Sequence, residues 1–152
     1  MENTGSYYVI NHISLITGLT DRTIRNYISS GVLQGEKING VWHFTPEQVE
    51  AFVQVPEVKL AIRSKNKSLV YDFLLNEFKK EEEACIILDL PNADRKTVME
   101  SFAYRINNGN YKNIHFSFET YGKTPRVILK GRMEDVLEIS NAYWNKVKSE
   151  QA

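Results

Sequence analysis

The feature that most constrains this chain lies between Tyr8 and Leu33, where two short amphipathic stretches flank a single glycine. Asn11 can cap a helix running from His12 to Thr17, and Gly18 then permits a sharp reversal. Thr20 can cap a second helix that runs to Ser30 and is closed by Gly31. Two short helices joined by so tight a turn predict a helix-turn-helix. In the second helix Ile24, Tyr27 and Ile28 recur at i, i+3 and i+4, the stripe that faces a core. Arg22, Arg25, Asn26 and Ser29 recur at i, i+3, i+4 and i+7 on another face, giving a short, polar and basic stripe.

Val32-Leu33, the stretch Gly35 to Gly40 and then Val41-Trp42-His43-Phe44 predict a short hairpin, or wing. Thr45 precedes Pro46 and is followed three residues later by Gln48, the spacing of a capping box. The helix that starts there turns Val49, Phe52 and Val53 inward.

Pro56 opens a linker or helix through Arg63, and the polar run Ser64 to Ser68 marks a boundary. Leu69, Val70, Phe73, Leu74 and Phe78 then predict an amphipathic helix reaching Lys80. Ala84 to Leu90 is a nearly unbroken apolar run stopped by Pro91 and Asn92, as suits a buried strand. Asp94 to Asn108 reads as a helix with Val98, Phe102 and Ile106 spaced by four and Gly109 closing it. Ile114 to Tyr121 and Pro125 to Lys130 read as strands around the turn Gly122-Lys123-Thr124. Met133 to Lys148 is a last helix with Val136, Leu137, Ile139, Ala142 and Tyr143 among its buried positions.

The fold class expected is therefore multidomain. An all-α winged helix-turn-helix occupies 1–55, a basic linker or helix 56–68, and an α+β unit 69–152. The α+β unit runs strand, helix, strand, strand, helix, a split β-α-β arrangement that is ferredoxin-like but lacks the last strand. In it the Pro125 to Lys130 strand lies between the other two. Ala84 to Leu90 is then left as an edge, apolar enough to call for a second copy of the chain.

The string YVINHISLITGLTDRTIRNYISSGVL, Tyr8 to Leu33, resembles the N-terminal pattern of the MerR family of transcriptional regulators. The resemblance includes its T-G turn and its R-T-[LI]-R-x-Y-x-x-x-G-[LV]-L run. Gly40-Val41-Trp42-His43-Phe44-Thr45 is similar to the family's G-Y-R-x-Y-[ST] wing, and together the two cover about a third of the chain. The resemblance implies a bacterial, cytoplasmic, dimeric regulator of transcription that binds double-stranded DNA. It implies contacts from Arg25 and Tyr27, with Arg22 at the helix start, and Lys37 on the wing near His43. Asn26 departs from the pattern, standing where the family has the first tyrosine of R-Y-Y, and Trp42 stands where the wing carries a basic residue. Asn26 has the donor and acceptor to read an adenine, whereas Trp42 is expected in the core. Tyr27 is divided between core packing and contact, and Arg22 and Arg25 between phosphate contact and ordinary solvated charge. The family's long coiled coil finds no sustained heptad between Val58 and Phe78.

Charge distribution qualifies the DNA reading. Lys and Arg number 19, as do Asp and Glu, so the net charge is zero. In residues 1–55, Arg22, Arg25 and Lys37 stand against Glu2, Asp21, Glu36, Glu47 and Glu50, leaving −2. Residues 56–80 carry six basic against three acidic side chains, leaving +3, so Lys59, Arg63, Lys65 and Lys67 are expected as accessory DNA contacts.

Other classes find little support. Met1 to Ser6 resembles neither a signal peptide nor an anchor, and no window suits a membrane span. Cys85 is the only cysteine, and His12, His43 and His115 stand far apart, so neither a disulfide nor a metal site is expected. With no phosphate loop or serine elbow, neither enzyme chemistry nor a cofactor is expected. The alternatives are an excisionase-like or phage architectural protein, and a module that binds a small molecule or a protein instead of DNA. A small-molecule effector is compatible with the second unit.

Overall fold

The computed structural model describes residues 7–151; the expectation for Met1 to Ser6, and the charge of Glu2, lie outside them. The first helix, α1 (Ile10–Thr17), starts earlier than its sequence suggested. Asn11 is exposed on the helix rather than capping it. The capping acceptor is His12, whose Nδ1 accepts from the Val9 amide at 3.1 Å. Capping from inside the first turn draws Ile10 into the helix, where its side chain is buried.

Gly18 closes α1 at φ 76, a left-handed conformation that favours glycine. In α2 (Asp21–Ser29) the Thr20 hydroxyl accepts from the Thr23 amide at 3.1 Å, as expected of that cap. The strands β1 (Glu36–Ile38) and β2 (Val41–His43) pair antiparallel, so the first arm lies inside the stretch expected to be the turn. Val32-Leu33, expected as that arm, instead bends back on α2, with the Leu33 amide donating to the Tyr27 carbonyl at 3.0 Å and the Leu33 side chain buried. Between β1 and β2, Asn39 (φ 52) and Gly40 (φ 80) both take positive φ, the signature of a two-residue type I′ turn. The capping box of α3 (Pro46–Gln54) forms in both directions, with Thr45 and Gln48 exchanging bonds of 2.9 and 3.1 Å.

The expected boundary at Ser64 to Ser68 is absent, because α4 (Pro56–Leu75) runs through it as one helix. Val58, Ile62 and Asn66 recur at i, i+4 and i+8 and are buried, so one face stays docked across the polar run. The helix ends at Leu75, short of the expected Lys80, and Phe78 is 85% exposed. Leu74 and Leu75 are exposed too, so the last apolar turn does not join the core.

The remaining elements are β3 (Glu83–Asp89), α5 (Arg95–Asn108), β4 (His115–Tyr121), β5 (Thr124–Arg132) and α6 (Met133–Gln151). The sheet order is β3-β5-β4 with both pairings antiparallel, which puts β5 in the middle as its sequence implied. The protein is thus α+β. Phe102 of α5 stacks on Phe116 of β4 and on Tyr143 of α6, with centroids 6.0 and 4.8 Å apart, tying both helices to one face of the sheet. Leu137, expected inside, is exposed on α6.

One buried cluster runs from Tyr8, Ile13 and Ile24 through Phe52 and Ile62 to Phe102, Phe118, Leu129 and Ile139. Helix α1 packs along β4, α3 against α5, and α4 against β4. The N-terminal helices and the three-stranded sheet therefore share a core. Among the described residues no helix is long and apolar enough to cross a membrane.

Candidate nucleic-acid interface

Helix α2 is divided cleanly by burial. Ile24 is fully buried, while Arg22, Arg25, Asn26 and Ser29 are all exposed along the opposite side. Arg25 Nε lies 2.8 Å from Asp21 Oδ2, one turn earlier, with both side chains 58% exposed. A pair this open is worth about 0–1 kcal/mol, so little holds the guanidinium back from a phosphate. Tyr27 falls on the inner side: it is half-buried, its ring meeting Phe52 edge-on at 5.4 Å.

The β1–β2 hairpin stands beside this helix in sequence and carries Lys37, whose Nζ lies 5.8 Å from the centre of the Trp42 ring. Trp42 is half-buried and stacked on Phe44, and so anchors the hairpin as its apolar character implied. His43 Nδ1 lies 3.2 Å from the Val41 carbonyl, and its ring meets Tyr7 edge-on at 5.5 Å. Those contacts give His43 a local packing role.

The four basic residues of α4 do not form one patch. Arg63 is turned inward: its Nε donates to Glu119 at 2.9 Å and its Nη2 to the Thr120 carbonyl at 3.1 Å. Lys67 lines the groove between α4 and the sheet together with Arg63 and Tyr121. Lys65 is on another side of the helix, beside Gly18 in the turn between α1 and α2. Lys59 is half-buried. Lys65 is the member of the set best placed to extend a surface built on α2.

Two cations at the start of α5, absent from the expected site, meet the acids of α3. Lys96 Nζ lies 2.7 Å from Glu47, and Arg95 Nε 2.9 Å from Glu50, the latter at an angle that makes it a charge contact and no hydrogen bond. Glu47 is held below the usual carboxylate range, first by its hydrogen bond from Lys96. The two acids of α3 are therefore each met by a cation of α5. One signal existed: Arg95 and Lys96 open α5, where the helix dipole disfavours cations unless acids meet them.

A cleft of about 1110 Å³ lies between the start of the described chain and helices α5 and α6. Tyr8, His12, Glu100, Tyr104 and Tyr143 are among its walls. Burial raises the Glu100 carboxyl above its ordinary value and raises the Tyr8 hydroxyl further still. Burial likewise pushes the Cys85 thiol up, the opposite of what an activated nucleophile requires. Among the described residues no three His, Cys, Asp or Glu side chains are grouped to hold a metal ion.

Comparison with protein-family models, with curated proteins and with solved structures finds no match to this chain.

Proposed function

We propose that the protein is a sequence-specific DNA-binding regulator of transcription and not an enzyme, built as a winged helix-turn-helix joined to an α+β unit. In this reading α2 is the recognition helix and β1–β2 the wing. The observation that carries it is the division of α2: Arg22, Arg25, Asn26 and Ser29 are all exposed, while Ile24 and Tyr27 hold the helix to the core. A short capped helix that presents two arginines and an asparagine fits the major groove, where such side chains meet phosphates and base edges. Lys37 on the hairpin and Lys65 beside the turn then approach the flanking backbone. The resemblance of Tyr8 to Leu33 and of Gly40 to Thr45 to the MerR pattern agrees with this assignment.

The sizeable α+β unit that follows the winged motif sets this reading apart from an excisionase-like architectural protein. Titrating duplex DNA with the full chain at two salt concentrations tests the proposal. Binding that weakens as salt rises, and weakens again in Arg25→Ala, is expected. A module that binds only small molecules or proteins gives no such binding at either salt concentration.

A further inference from the structure

The two edges of the three-stranded sheet are not equivalent. The β4 edge lies beside α1, whereas the outer edge of β3 pairs with no strand among the described residues. The hydrogen bonds at either end of β3 fix which backbone groups that edge presents. Leu90 donates to the Pro125 carbonyl, and Met133 donates to the Glu82 carbonyl, each at 3.0 Å. In the antiparallel register with β5, Ala84, Ile86 and Leu88 therefore turn their amides and carbonyls inward. Glu83, Cys85, Ile87 and Asp89 turn theirs outward, unpaired.

The side chains along this edge are unusually apolar for one left open. Ile87 is 49% exposed and shares a groove of about 550 Å³ with Ile128, Val70, Tyr71 and Leu74. Tyr71 and Leu74 are more exposed still. Proteins normally protect such edges with charges, bulges or a covering element, and an uncovered apolar edge is a template for another strand.

We propose that β3 is the seam of a homodimer, in which two copies pair their β3 strands antiparallel about a two-fold axis at Ile87 and form one six-stranded sheet. The occupant is a second copy because an antiparallel edge is complementary to itself, each outward amide meeting a carbonyl of the same strand turned about the axis. Side chains select the register. An axis at Ile87 opposes Ala84 to Leu90 and Ile86 to Leu88 on one face, and Cys85 to Asp89 and Ile87 to its twin on the other. Moving the axis to Ile86 sets Glu83 against Asp89, two carboxylates. Moving it to Cys85 sets Ile87 against Glu83 and Asp89 against Glu81. Moving it to Leu88 shortens the ladder, because Pro91 has no amide to continue it. An axis at Ile87 keeps both α4 helices on the same face, so Tyr71 and Leu74 of each copy flank the joined Ile87 pair.

The dimer does not depend on the DNA reading, but one consequence does. Six strands at ~4.8 Å spacing hold the two β4 strands about 24 Å apart, with an α1–α2 pair beyond each. That separation is compatible with two recognition helices entering grooves about 34 Å apart, one turn of duplex.

Sedimentation of the full chain at tens of micromolar, without DNA, tests the seam. The expected mass is twice the 17.6 kDa of one chain. Ile87→Lys places two ammonium groups at the axis and is expected to leave a monomer with an unchanged far-ultraviolet spectrum. Register is read separately by oxidising Cys85→Ser/Ile87→Cys, which is expected to give a covalent dimer. In the native chain the two Cys85 thiols stand about 13 Å apart and do not link. A monomeric native chain, or a dimer that survives Ile87→Lys, overturns the seam. Failure of the double variant to cross-link while the native chain is dimeric overturns the register. If Ile87→Lys loses its secondary structure, the cross-link alone decides, and its absence overturns the proposal.

Discussion

Glu119 is the residue whose removal tests the packing most severely. It is 4% exposed on β4, accepting from Arg63 Nε at 2.9 Å and from Asn66 Nδ2 at 2.8 Å. Both donors belong to α4, so the carboxylate joins that helix to the sheet. Glu119→Ala leaves a cation and a buried amide without their acceptor. Breaking a buried pair by removing one partner costs roughly 3–5 kcal/mol. Arg63 is 31% exposed and retains its bond to Thr120, so its share of that cost is reduced. Asn66, also 4% exposed, loses the acceptor of its side-chain amide, at about 1–3 kcal/mol. The expected net loss is ~2–4 kcal/mol, or a fall in Tm of roughly 4–16 °C for a chain of this size. Urea unfolding followed by circular dichroism and by tryptophan fluorescence measures it. Because the core is continuous, both probes are expected to give one coincident transition. A loss below about 0.5 kcal/mol, typical of a surface substitution, refutes the assignment of this network.

Other substitutions probe the interface and its supports. Arg25→Ala is expected to weaken DNA binding by about 1–3 kcal/mol if it reads a base, or to reduce the salt slope by about one ion if it meets phosphate, as anisotropy titrations can resolve. Thr20→Ala removes the cap of α2 and is expected to lower stability by ~1 kcal/mol in denaturant titration. His12 links acidity to stability, because burial lowers its pKa below the ordinary 6.5 and its Nδ1 caps α1 only when unprotonated. The unfolded chain then takes up the proton first, so the contribution of His12 is complete above 6.5 and is lost as pH falls below it. His12→Ala should flatten that part of the stability profile, and an unchanged profile assigns the dependence to other groups.

Local signals in the sequence carried most of the element order. The caps at Thr20 and Thr45 depend on neighbours within a few residues, and each forms where spacing placed it, whereas the first arm of the hairpin forms over Glu36–Ile38, inside the stretch expected to be its turn. The central place of β5 followed from the chain order of strands and helices. The polar run Ser64 to Ser68 misled because composition cannot reveal that Asn66 finds an acceptor fifty-three residues away in Glu119. The same non-local pairing turned Arg63 inward and hid the compensation of Glu47 and Glu50 by Lys96 and Arg95. The exposed stripe on α2 was legible because one helix sets its own faces. Dividing the basic residues of α4 between two sides required knowing where that helix docks.

The central claim, that α2 reads double-stranded DNA, is tested most directly by selection from a pool of randomised duplexes with the full chain. Arg22→Ala/Arg25→Ala/Asn26→Ala, which alters only exposed positions, serves as the matched control. The account predicts enrichment of a defined motif by the native chain and none by the folded triple variant. Failure of the native chain to enrich any sequence, or equal enrichment by both proteins, contradicts it.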